Sequence, residues 1–255
     1  MAAAPLSIGR YYPDAGDPQA PAAVAVVMPT LLRPQIAAAA ESVFRQTLDA
    51  RIQLMIGVDK AEHAGGHLDE VLARRPPNVS ALVLQLPYST SVRHGGVHTA
   101  LDGGALRTLL SFLANARYVA FLDDDNEYEP DHLEGLAAAI QGKPWAHSQR
   151  LLVSEETGEA LAVDRWDSVG VGQGRFAEQG GFVDTNCLLI DKIAGTRALG
   201  RWAESGTGKP GFTADRNFFA ALKDAPHGRV DRPTVRYRIR PTNVLNRFIR
   251  EDTRF

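Results

Sequence analysis

Two hydrophobic periods alternate through the first half of the chain, and this alternation constrains the fold more than any other feature. Short, continuous apolar runs are separated by longer segments whose apolar residues recur at helical spacing. The runs are "AVAVVMP" from Ala23, "IQLMIGV" from Ile52, "VSALVLQL" from Val79 and "YVAFL" from Tyr118. Between the first two lies "RPQIAAAAESVFRQT", with Ile36, Ala39, Ala40, Val43 and Phe44 on one stripe. A short helix is expected around Leu68–Arg74, a longer one in "GALRTLLSFLANA", and a fourth in "PDHLEGLAAAI", which opens on proline and acidic residues. Apolar runs without polar alternation read as strands buried on both faces. The order β-α-β-α-β-α-β therefore predicts an α/β protein with a Rossmann-like, mostly parallel central sheet flanked by helices.

The second half is less regular. "WAHSQRLLV" and "FVDTNCLLI" read as strands on either side of the glycine-rich "SVGVGQGRFAEQGG". "TADRNFFAALKDA" reads as a helix capped by Thr213, "PTVRYRIR" as a late strand and "NVLNRFIRED" as a closing helix. The loop "ESGTGKPG", with Gly206, Gly208 and Gly211, reads as mobile. The expected organisation is one domain: a flexible leader over residues 1–22, a first half over 23–142 and a mixed second half over 143–255.

Composition narrows the function. A formal net charge of -2 gives no electrostatic case for nucleic acid or an anionic membrane as partner. Cys187 is the only cysteine, so neither an intramolecular disulfide nor a cysteine-based zinc site is available. No apolar run approaches the roughly 20 residues of a membrane span, and the start "MAAAPLSIGRYYPDAGDPQAP" is not patterned as a signal peptide. These features lead us to expect a cytoplasmic protein.

The chemistry concentrates in "YVAFLDDDNEYEPDHL". Asp123, Asp124 and Asp125 follow a buried strand, and in open parallel sheets ligands bind outside the carboxyl ends of the strands. Nothing beside them in sequence compensates their charge. Hard oxygen donors of this kind suit magnesium or manganese, ions that bridge to phosphate oxygens. The alternative is a solvated acidic turn preceding the helix at Pro130.

With these residues in hand, the chain resembles the family-2 glycosyltransferases, which have the GT-A fold. The resemblance runs from about Val24 to Tyr237 through five motifs in order. "VAVVMPTLLR" resembles the family's opening strand, with Leu32 in place of its Asn, and "LMIGVDK" its second strand, ending in Val-Asp. "GALRTLLSFLANARYVAFLDDDN" resembles the stretch that ends in Asp-x-Asp, although Leu106 and Thr108 depart from the Ala and Asn flanking the family's arginine. "FTADRNFF" resembles the late acidic motif, with Ala214-Asp215 where the family has Glu-Asp. "VRYRIR" resembles the closing Tyr-Arg strand but carries Arg240 where many relatives have His, so a third protein ligand for the metal is left open.

The resemblance implies a metal-dependent, inverting transfer of a sugar from a nucleoside-diphosphate sugar, UDP-sugars favoured, to a hydroxyl acceptor, in polysaccharide or glycoconjugate synthesis. Residues 23–142 would bind the nucleotide-sugar, and 143–255 would bind the acceptor. Pro29 and Thr30 would line base and ribose, and Arg33 would lie near the nucleotide. Asp59 would accept the N3 hydrogen of uracil, or else form a turn after its strand. Arg107 would approach the nucleotide or diphosphate, or else lie on the surface. Asp125 would bind Mn2+ or Mg2+, with Asp123 and Asp124 meeting ribose or metal-bound water and Asp123 a second candidate ligand. Asp215 would be the catalytic base, or else a residue favouring the helix start. Arg240 would contact the diphosphate, while Trp166 and Trp202 would stack on sugars or pack in the core.

Two further features carry no site of their own. "GTGK" at Gly206 lacks the spacing of a phosphate loop. His94 and His98 lack a carboxylate at ligand spacing and read as part of a flexible loop beside the donor site. Two alternatives stay open: a catalytically inactive sugar-nucleotide-binding protein of the same fold, and a sugar nucleotidyltransferase, although "PTLLRPQ" lacks the glycines of the latter's phosphate loop. A homodimer is also open.

Overall fold

The computed structural model describes residues 8–60, 66–100, 103–204 and 214–252. In chain order its strands are β1 (Gly9–Tyr12), β2 (Ala22–Thr30), β3 (Ile52–Val58), β4 (Val79–Gln85), β5 (Ala116–Phe121), β6 (Glu127–Tyr128), β7 (Trp145–Ser154), β8 (Ala160–Val163), β9 (Gly170–Val171), β10 (Gly181–Phe182), β11 (Leu188–Asp191) and β12 (His227–Ile239). Its helices are α1 (Ile36–Phe44), α2 (Gly66–Ala73), α3 (Gly104–Leu113), α4 (His132–Ala139), α5 (Thr196–Leu199), α6 (Ala214–Ala220) and α7 (Leu245–Asp252).

Among the described residues one sheet dominates, in the order β1-β4-β3-β2-β5-β11-β7-β12-β6, with β8 on β7. The strands β4, β3, β2 and β5 run parallel, as the first-half pattern predicts. Every residue from Val24 to Met28 is fully buried, which explains the absence of polar alternation in β2. Helix α3 packs on β2 and β3, and α4 packs on β7 and β12.

The two halves share this sheet. Strand β11 runs antiparallel to both β5 and β7, and the first-half strand β6 pairs with β12. Three local expectations change. Within the segment read as a leader, β1 pairs antiparallel with β4, Tyr12 opposite Ala81; a β edge has unpaired backbone groups to offer, and four residues suffice to take them up. "FVDTNCLLI" is not one strand but β10, a 3₁₀ turn over Thr185–Cys187 and β11. The Asp184 side chain caps that turn by accepting from the Asn186 amide, a local bond that competes with strand pairing. The third is β8, which the sequence pattern did not indicate. Thr213 and the glycines at 206, 208 and 211 lie outside the described residues.

Candidate active site

A cavity of about 360 Å³ opens at the carboxyl ends of the parallel strands. Pro29, Thr30 and Leu31 enter it from the end of β2, Asp59 from the end of β3, and Asp123, Asp124 and Asp125 from the turn after β5. Arg33 comes from the loop before α1 and Arg107 from α3. From the second half come Asp184, Thr185, Trp202, Ala214, Asp215, Tyr237 and Arg238. The nine residues expected to bind donor and metal or to act as base therefore line one cavity, although they lie in separate segments of the chain.

The three carboxylates are not left uncompensated, contrary to the sequence expectation. Asp125 accepts from Arg33 at 3.0 Å, Asp124 lies 3.7 Å from the same guanidinium, and Asp123 accepts from Arg107. Asp124 is buried and accepts from the Thr30 hydroxyl at 2.7 Å, which ties the turn after β5 to the end of β2. Burial, and then the charges of Asp123 and Asp124, push the Asp125 carboxyl up to about 6, with Arg33 acting in the opposite direction. Asp125 and Asp123 keep part of their side-chain surface open, 29% and 33%.

Local geometry supports this arrangement. Leu32, in place of the family's Asn, has a φ of 62°, a conformation that Asn tolerates better than Leu, and its N–H donates to Thr30 Oγ1 at 2.7 Å. Gly103 has a φ of 75°, and a Cβ there would approach Pro29 Cβ to 2.7 Å, so glycine lets α3 start directly beside the β2 end.

Asp59 is buried, and its carboxylate is already oriented by protein donors. Ser89 Oγ donates to Oδ2 at 2.8 Å, while the Thr90 amide and hydroxyl donate to Oδ1 at 2.8 and 2.7 Å. A carboxylate has about four acceptor positions, so three internal bonds leave room for one more. The loop bearing Ser89 and Thr90 continues into a 3₁₀ turn, Val92–His94, from which Arg93 and His94 reach the cavity. His98 does not join them; its Nδ1 accepts from the Ala100 amide.

From the second half, Asp215 lines the same cavity; it sits in the first turn of α6 and accepts from the Arg216 amide at 2.8 Å. Trp202 lines the cavity, but it is buried and its ring packs on Phe218, 4.2 Å between centroids, with Arg107 at 5.2 Å, which makes it a packing residue. Trp166 is outside the cavity and packs near Phe248. Arg240 is also outside: it is exposed and pairs with Glu155 at 3.4 Å, and Arg238 reaches the cavity in its place.

The sequence reading missed Asp184 and Asn186. Asn186 is fully buried and bonds to both Asp123 and Asp184. Two poor strand formers, Asp184 and Asn186, were the signal that "FVDTNCLLI" breaks at this point, Asp184 being the residue whose side chain caps the turn.

Among the described residues no three His, Cys, Asp or Glu side chains are arranged to enclose a metal ion by themselves. The donor set still fits a hard divalent cation of the magnesium type, which is commonly held by one or two carboxylates plus water and substrate phosphates. Burial, followed by repulsion from Asp123 and Asp124, raises the Asp125 carboxyl, and a bound cation would offset both.

With this geometry in place, comparison with solved structures decides the architecture. The fold is similar to that of S. aureus TarS. The crystal structure of TarS 1-349 matches with a TM-score of 0.61 at 13% identity, covering 85% of this chain and 60% of that one. The same fragment in complex with UDP matches at 0.60 and 14%, covering 86% and 61%. Its complex with UDP-GlcNAc also matches at 0.60 and 14%, covering 88% and 60%. The chain thus spans about 60% of the length of these TarS fragments. No family model and no curated protein matches the sequence. Among the described residues no helix is long and apolar enough to cross a membrane.

Proposed function

We propose that this chain is a glycosyltransferase of the family-2, GT-A type, which moves a sugar from a UDP-sugar to a hydroxyl acceptor with inversion. One observation carries the reading: Pro29, Thr30, Arg33, Asp59, Arg107, Asp123, Asp124, Asp125 and Asp215 line a single cavity at the carboxyl edge of a parallel sheet. The likeness to a fold whose solved examples include UDP and UDP-GlcNAc complexes supports it.

In this reading Asp59 uses its remaining acceptor position for the N3–H of uracil, and Ser89 and Thr90 keep the carboxylate facing it. Pro29 and Thr30 flank base and ribose. Arg33 and Arg107 already stand beside the carboxylates where a diphosphate would lie, and they offset charge developing on the leaving group. Asp125, with Asp123 beside it, would hold a Mg2+ or Mn2+ ion, which supplies Lewis-acid stabilisation of the diphosphate. Asp215 faces the same cavity from the second half and takes the proton of the acceptor hydroxyl as that oxygen attacks the anomeric carbon. Attack from the face opposite the diphosphate inverts the configuration.

The test is a thermal-shift and calorimetric titration with UDP, with and without manganese. We expect UDP to raise the melting temperature, because a ligand that binds only the folded state stabilises it by mass action, and EDTA to abolish the shift. Undiminished UDP binding in EDTA would remove the metal from the proposal. No UDP binding under either condition would remove the proposal itself.

A further inference from the structure

Asp123 is held from more than one side. Its amide donates to Asn186 Oδ1 at 2.7 Å, its Oδ2 accepts from Asn186 Nδ2 at 3.0 Å, and its Oδ1 accepts from Arg107 Nη2. Asn186 Nδ2 also donates to Asp184 Oδ1 at 2.7 Å. Asp184 Oδ2 in turn accepts from Arg150 Nη1 at 2.7 Å. Arg150 is buried; it also donates to Asp164 at 2.8 Å, and its guanidinium stacks over Tyr237 at 4.0 Å. A continuous path of polar contacts, buried except at Asp123, therefore runs from β7 to the carboxylate turn after β5. Its centre is one primary amide between two carboxylates.

The side-chain chemistry at that position is selective. An amide offers an acceptor for the Asp123 N–H and two N–H donors, one for each neighbouring carboxylate. A carboxylate there would add a third negative charge, and an aliphatic side chain would remove the donor that Asp123 and Asp184 share, leaving the backbone amide of residue 186 to serve Asp184.

We propose that Asn186 is a positioning residue. It fixes the Asp123 side chain so that this carboxylate orients Arg107 toward the diphosphate, while Arg150, acting through Asp184, keeps the amide in place. The inference rests on the nucleotide-sugar reading of the cavity, and it assigns the second half a part in building the donor side.

The experiment combines crystallography with a double-mutant cycle on UDP affinity, using Asn186→Ala and Asp123→Asn, with Asn186→Ser as the milder variant if Asn186→Ala does not fold. In the Asn186 variant the Asp123 carboxylate is expected to leave its present position. The Kd for UDP should rise at least ~10-fold, the effect of losing one charge-assisted hydrogen bond. In the Asp123→Asn background the same Asn186 change should alter Kd less than ~2-fold, because residues acting through one another are not additive. An unmoved Asp123 carboxylate overturns the proposal, as do fully additive losses of affinity, which would mark Asn186 as a packing residue only. If wild-type protein binds no UDP, the nucleotide-sugar reading fails, and the position of Asp123 in the variant crystal still decides whether Asn186 holds it.

Discussion

Asp215 carries the sharpest prediction at the scale of single residues. It lies in the first turn of α6 and accepts from its own helix, which would suffice for a residue that only favours the helix start. Its place in the lining of the cavity that also holds the carboxylate turn is what that lesser role does not require. Asp215→Asn should bind UDP normally yet transfer sugar at least ~100-fold more slowly, the lower range for a general base. Near-normal turnover, or a product that retains the donor's configuration, would refute the assignment. Asp59 makes a second case. Its carboxylate takes three internal hydrogen bonds and keeps one position open, so Asp59→Asn should reduce the preference for UDP over CDP by about 1–3 kcal/mol. Equal binding of UDP and CDP by the wild type, measured by calorimetry, would show that Asp59 does not read the base.

Among the elements, α3 and the end of β2 determine how the donor side is assembled. Gly103 lets α3 begin against Pro29 in a left-handed conformation, and α3 then places Arg107 beside Asp123. Gly103→Ala combines a strained φ with a contact that Pro29 must yield to, and we expect a loss of about 1–3 kcal/mol in chemical denaturation. A variant as stable as wild type, with unchanged UDP affinity, would show that this junction tolerates displacement. The existence and order of α3, β2, β3 and β5 were legible in the apolar periods alone, because each packs into the same core, although α3 ends at Leu113, short of the expected Ala116, where β5 begins. The broken "FVDTNCLLI" was not, because the run of apolar residues around it outweighed three short polar side chains in any pattern count. The interruption matters because it brings Asn186 under Asp123.

Taken as a whole, the molecule buries titratable groups away from the cavity, and this gives a prediction for stability. Burial pushes His132 down to about 3 from 6.5, and its Nδ1 pairs with the Thr234 hydroxyl at 2.7 Å. The unfolded chain therefore binds a proton near pH 6.5 that the folded chain refuses. Stability from His132 is complete above that pH and falls, by about 1.4 kcal/mol per pH unit, as pH drops toward the folded value. Asp125 contributes with the opposite sign below about 6, so the difference between wild type and His132→Gln isolates the histidine. The wild type should lose stability relative to that variant between pH 6.5 and 4; parallel curves from urea unfolding would contradict the assignment.

The sequence by itself determined the alternating strands and helices of the first half, and it set acidic residues at the ends of two of those strands, because buried periodicity and poor strand formers are both local properties. Only the tertiary structure decided which charges meet. Arg33 reaches Asp125 across 92 residues of chain, Asn186 reaches Asp123 across 63, and β6 pairs with β12 from opposite halves. Such partners follow from strand order and register, which depend on how all the elements pack together and leave no mark on any one segment's pattern.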